Sequence, residues 1–297
     1  RLLVAGLIVS AGSVLVPAQE PTRITSASNV RLRATPTDSA AVVATLPLGT
    51  ELVQLESGGE GGSWTRVRVP ITGQDGWLST RLTRSLVKTP RADAIDSILQ
   101  ERLARKGDGF AARAELTDFV ERERKLAPDP ETAGRLALAW VRAMSAALEA
   151  VPFARGTQPP YKSWLASRAN VVVYNEPGGR WMIRVDRLWA LHDEHARTSS
   201  ADEIAWTAVL NGAPGECEGF MPCHLQRRNS LEGEYLRRSA LGRHVDEAVA
   251  RVAGEASQWP VPLQKPYFFD PAKDCGELVQ ALDPLRTALS TTRADGL

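Results

Sequence analysis

Between residues 23 and 86, apolar positions alternate with polar ones. Val30 and Leu32 are separated by Arg31 and followed by Arg33, and Trp64-Thr65-Arg66-Val67-Arg68-Val69 alternates strictly until Pro70. A period of two places successive side chains on opposite faces, the pattern of a half-buried strand. Val42–Leu46, Glu51–Leu55 and Trp77-Leu78 complete five short strands. They are punctuated by Thr35–Asp38, by Pro47-Leu48-Gly49-Thr50, by a glycine-rich segment from Ser57 to Ser63 expected as a flexible hairpin tip, and by Thr72–Gly76. So many short strands in so short a stretch predict a small closed barrel, because closure removes the exposed sheet edges.

After a linker at 87–91 the period changes to that of a helix. Ile95, Ile98, Leu99 and Leu103 mark one face of a helix over Ala92–Lys106, ended by Gly107-Asp108-Gly109. Leu116, Phe119 and Val120 belong to a second helix closing before Pro128, and Glu131–Leu148 forms a third with Leu136, Trp140, Met144 and Ala147 on one side. Pro152, Pro159 and Pro160 predict a loop, with Tyr161 and Trp164 filling the core beneath it. A β-hairpin follows, Val171–Tyr174 and Arg180–Arg184 around Asn175-Glu176-Pro177-Gly178-Gly179. Ser200-Ala201-Asp202-Glu203 has the form of a capping box for a helix through Leu210. Leu225–Arg238, His244–Ala256 and Gly276–Leu289 complete the helices, with Pro284 placed to kink the last. Tyr235 through Ala248 resembles the turn between tetratricopeptide-type helices. An array needs about three such units to bury its surface, and one is found here, so an antiparallel helix pair is expected.

The N-terminal motifs, in order, are Asn29-Val30-Arg31, Val42–Leu46, Leu46-Pro47-Leu48-Gly49-Thr50, Leu52–Leu55, Trp64-Thr65-Arg66-Val67 and Gly76-Trp77-Leu78. Their order and spacing resemble the bacterial SH3-like domain. The one departure is Leu32-Arg33-Ala34-Thr35 in the first loop. The expected fold class is therefore multidomain: a small all-β SH3-like barrel at 23–86 followed by a mostly α-helical domain at 92–297 carrying one β-hairpin. The resemblance implies a binding role, with cell-wall peptide (peptidoglycan) or an envelope protein as partner. It also implies an alternative, in which the C-terminal domain is a cell-wall hydrolase and the barrel targets it.

The first residues bear on location. Arg1 precedes an apolar run, Leu2–Val16, and small residues Val16 and Ala18 stand three and one before the polar stretch that follows. This is the layout of a signal peptide at 1–18 cleaved after Ala18; the run is short for a membrane span, which needs about 20 apolar residues. An exported protein, periplasmic or extracellular, is expected, with membrane association only if the segment stays uncleaved. The chain does not start with Met, and the expectation is that a longer precursor supplied more of the basic region.

Composition adds exclusions. The 297 residues are 43% hydrophobic and 24% charged, ordinary for a globular chain, and the net charge is +1. Nucleic acid needs concentrated basic surface, so it is not an expected partner. No nucleophile elbow, phosphate loop or dinucleotide fingerprint is present; no catalytic residue, cofactor or metal is assigned, and the chain reads as a binding protein rather than an enzyme.

Candidate binding residues are Trp64, Arg66, Arg68, Arg31 and Arg33. If Val67 and Val69 face the core, Trp64 lies outside between arginines, a platform for a ligand; otherwise it caps the barrel end. Trp77 is expected in the core. The three cysteines are Cys217, Cys223 and Cys275. Cys217 and Cys223, in a loop containing glycine and proline, suit a small disulfide ring. The alternatives are unpaired thiols or a metal held by Cys217, Cys223, His224 and Cys275, whose spacing departs from that of zinc sites. His192-Asp193-Glu194-His195 lacks a third ligand in register and is expected on a solvated helix face.

Overall fold

The computed structural model describes residues 20–259 and 263–292; the signal-peptide reading of 1–18 lies outside them. The chain divides into two compact units, 1–94 and 95–297.

The first unit is one seven-stranded antiparallel sheet in the order β3-β2-β6-β5-β4-β1-β7. The five expected strands are β2 (Val30–Arg33), β3 (Val42–Leu46), β4 (Glu51–Gly58), β5 (Trp64–Val69) and β6 (Gln74–Ser79). Two further strands, β1 (Arg23–Thr25) and β7 (Thr83–Ser85), pair with each other and extend the sheet beyond β4. Their three-residue length leaves no alternation to read. Val30, Leu32, Leu46, Leu52, Val67, Val69 and Leu78 meet in one core, so the sheet curls around its own inner face. The glycine-rich segment is more ordered than a flexible tip: β4 runs on to Gly58, and Glu60–Gly62 makes a single 3-10 turn.

Backbone geometry accounts for three of the motif residues. Asn29 has φ of 53°, a left-handed conformation that asparagine tolerates better than most residues. Gly49 has φ of 81° in the turn before β4. Gly76 is required by contact: a Cβ there would lie 2.6 Å from Leu32 Cγ and 3.0 Å from the Arg33 carbonyl oxygen.

In the second unit, α1 (Arg91–Ala104), α2 (Phe110–Lys125) and α3 (Pro130–Glu149) match the three expected helices within a few residues. Asp129 caps α3 by accepting from the Thr132 amide at 2.8 Å, with Pro130 in the first turn. The alanines of α3 let α2 pack closely against it; Ala137, Ala143 and Ala147 are fully buried. Where a loop was expected, Tyr161–Ala166 forms a short helix, α4. Leu165 takes its buried position, while Tyr161 and Trp164 stay half-buried with their rings edge-on to Phe110 at 4.7 and 5.4 Å. The hairpin is β8 (Val172–Asn175) with β9 (Arg180–Ile183).

The remaining helices are α5 (Val185–Glu194), α6 (Ala201–Asn211), α7 (Met221–Arg228), α8 (Glu234–Arg238), α9 (Val245–Ser257) and α10 (Pro271–Ser290). A π-helical turn, Asn229–Gly233, joins α7 to α8. The helix–turn–helix expected around residues 235–248 is α8 and α9. α10 begins five residues earlier than its apolar stripe because Asp270 caps it, and it runs through Pro284. Glu232 sits on the π turn with no exposed surface. Its Oε1 accepts from Arg228 at 2.7 Å and Arg251 at 2.8 Å, while Arg228 also binds Glu255 at 2.7 Å and Glu255 lies 2.9 Å from His224 Nδ1. Buried charge is tolerated only when paired in this way. Among the described residues no helix is long and apolar enough to cross a membrane.

Candidate binding face of the barrel

β5 behaves as its alternation requires. Thr65, Val67 and Val69 are buried, which turns Trp64, Arg66 and Arg68 to the outer face. On β6, Gly76 and Leu78 point inward, so Trp77 points outward. The expectation of a core Trp77 is thereby overturned: in a strict period-two strand the residue between two buried positions must face away from them. Trp77 pairs with Arg66 of β5 on one side and Arg33 of β2 on the other. Trp64 pairs with Gly58 of β4 and Ser79 of β6.

Two consecutive glycines seat the two indoles. A Cβ on Gly58 would stand 2.5 Å from Trp77 Cζ3, and one on Gly59 would stand 2.6 Å from Trp64 Cδ1. Each ring therefore lies down on bare backbone instead of projecting into solvent, and both remain half-exposed. Large rigid aromatic surfaces of this kind supply contact area at low entropic cost.

The four arginines differ in how free they are. Arg68 makes a bidentate bond to Asp75, at 2.7 and 3.0 Å, which holds the Asp75 carboxyl below the usual carboxylate range and raises the guanidinium above its own. Arg33 donates to the Ala40 carbonyl at 2.7 Å and closes the loop between β2 and β3. Arg66 lies 3.5 Å from Glu56 in an exposed pair. Arg31 is exposed and makes no ion pair among the described residues. The face thus presents two seated indoles, one loosely held guanidinium and one free one, chemistry suited to a ligand with apolar surface and carboxylate groups. Residues 28–83 match the bacterial SH3 domain. No curated protein and no solved structure matches the chain. Trp64 and Trp77, both in the motifs named above, build this face, while Gly58 and Gly59, which seat it, lie between those motifs.

In the second unit, Cys217 and Cys223 form a disulfide with Cα atoms 5.5 Å apart, and Cys275 is a free, exposed thiol. His224 is turned to Glu255, so the four residues of the alternative metal reading are not assembled. His192 and His195 are 4% and 5% exposed, against the expectation of a solvated face. Leu188, Trp189, Leu191 and His192 share the buried side of α5, and His195 follows one turn on as its C-cap. Burial lowers the His195 pKa, while Arg238 and His192 hold the Asp193 carboxyl low.

The capping box is not formed either. Ser200 precedes α6 in a helical conformation and makes no side-chain cap. Asp202 instead accepts from the Tyr235 hydroxyl at 2.7 Å and the Arg243 amide at 3.0 Å, and Glu203 lies 3.2 Å from His244 Nε2. Partners distant in sequence outcompeted the local cap. Sequence patterning missed this group because its members stand 33 to 41 residues apart.

Proposed function

We propose that this chain is an exported, non-catalytic binding protein of the cell envelope. Its SH3 domain binds cell-wall peptide or a protein partner through the Trp64 and Trp77 face, and the helical unit serves interaction or scaffolding. The carrying observation is the pair of indoles laid on Gly58 and Gly59, with Arg66 and Arg33 paired to either side of Trp77. Support for the ligand class comes from the family, whose members are often cell-wall binding modules. Support for export comes from the apolar run at 2–16 and from the Cys217–Cys223 disulfide, since such bonds persist in oxidising compartments.

Retention of the full chain on purified peptidoglycan tests this. Trp64 contributes nothing to the buried core, so Trp64→Ala leaves the barrel folded. Retention of the wild type with at least a tenfold loss in Trp64→Ala is expected. Equal retention of the two, or retention of neither, refutes the cell-wall assignment.

A further inference from the structure

We propose that Asp202, Glu203 and His244 form a binding site for a divalent first-row transition-metal ion of the zinc type. One ligand atom from each lies within 4.8 Å of the others. Glu203 Oε1 and His244 Nε2 are 3.2 Å apart. Ligands held at about 2.0–2.2 Å around a tetrahedral ion stand about 3.3 Å from one another, so the spacing of this hydrogen-bonded pair is compatible with a shared ion. Two carboxylates and a neutral imidazole balance the charge of a divalent cation.

The ligands are positioned before any ion arrives. The His244 ring is stacked on Trp206, with centroids 4.7 Å apart and planes within 5°. Its Nδ1 lies 4.0 Å from Glu247 Oε2, beyond hydrogen-bond distance. The fully buried Tyr235 anchors Asp202 and also accepts from the His244 amide at 3.0 Å, tying both ligand-bearing segments to one hydroxyl. The turn between α8 and α9 passes so near that a Cβ on Gly242 would lie 2.2 Å from Asp202 Oδ1.

Asp202 also lines a cavity of about 450 Å³, bounded by His192, Thr198, Arg238 and Leu241. Of the three ligands, Asp202 alone lines it. His192 is more than nine-tenths buried in that wall. Its Nδ1 bonds Asp193 at 3.0 Å. One imidazole nitrogen with two carboxylate oxygens favours zinc, manganese or nickel over magnesium and calcium, which prefer all-oxygen sites, and over cuprous ion, which prefers sulfur.

The test is calorimetric titration of Zn²⁺ alone into the untagged full chain carrying Cys275→Ser, so that the exposed thiol cannot contribute. One ion per chain is expected, with an accompanying rise in melting temperature. Binding should vanish in His244→Ala. Because that variant also removes the stacking on Trp206, the decisive variant is Glu203→Gln, which keeps the hydrogen bond to His244 and should weaken binding at least tenfold. Absence of one-site binding, or binding unchanged by Glu203→Gln, overturns the proposal and leaves these residues a hydrogen-bonded clasp.

Discussion

Substituting Gly76 by alanine tests the packing logic of the barrel directly. The added methyl would stand 2.6 Å from Leu32 Cγ, about 1 Å inside the ~3.5–4.0 Å at which carbon atoms normally meet. Leu32 is wholly buried and Arg33, whose carbonyl would be 3.0 Å away, is held in the ladder opposite Trp77, so neither can withdraw without disturbing β2. Overpacking of this kind costs about 1–3 kcal/mol. Against it stands about 0.4–1 kcal/mol gained by restricting the unfolded chain. The net loss is therefore about 1–2 kcal/mol, a large part of the ~3–5 kcal/mol that one small core supplies. Hydrogen–deuterium exchange on the full chain resolves the effect locally: amides of β2 and β6 should lose protection by a factor of roughly 5–30, with the helical unit unchanged. Exchange at or below the wild-type rate in both strands would refute the close-contact argument.

Other consequences follow from the same geometry. Gly254 lies inside α9, and a methyl added there would meet no atom within 4 Å, so Gly254→Ala should stabilise the helical unit by about 0.5–1 kcal/mol, seen as a higher denaturant midpoint. Glu232→Ala leaves Arg228 and Arg251 without their shared buried carboxylate; a loss of about 3 kcal/mol in urea unfolding is expected. His195 is held neutral by burial, with its pKa depressed below 6.5. The unfolded chain therefore takes up the proton first, so its contribution is complete above pH 6.5 and declines as pH falls from there toward the folded pKa. His195→Phe should flatten that part of the stability profile, and an unaltered slope would show that His195 is not its source.

The barrel was legible because its information is local. Alternation along β2 and β5 separated the two faces, and the burial of Val67 and Val69 decides between the two readings of Trp64 by placing it with Arg66 and Arg68 outside. The same rule applied to β6 places Trp77 outside, against the expectation of a core residue. Gly58 and Gly59 looked like a flexible tip because nothing local shows that two indoles from other strands lie on them. In the helical unit the errors share a cause. Ser200–Glu203 and His192–His195 were assigned from neighbours in sequence, whereas Tyr235, Arg238 and His244 decide their roles.

The sequence by itself determined the two-part architecture, most of the helix positions, the hairpin, the SH3 motif order and a loop that brings Cys217 within reach of Cys223. Each depends on a repeat of two or 3.6 residues, on a turn, or on a short loop, all of which are set within about ten residues. Only the tertiary structure decided which groups meet across the fold: the two seated indoles, the buried Glu232 network, and Asp202 and Glu203 against His244. Those contacts depend on how whole elements pack, and side-chain periodicity fixes a residue's face without naming what lies opposite it.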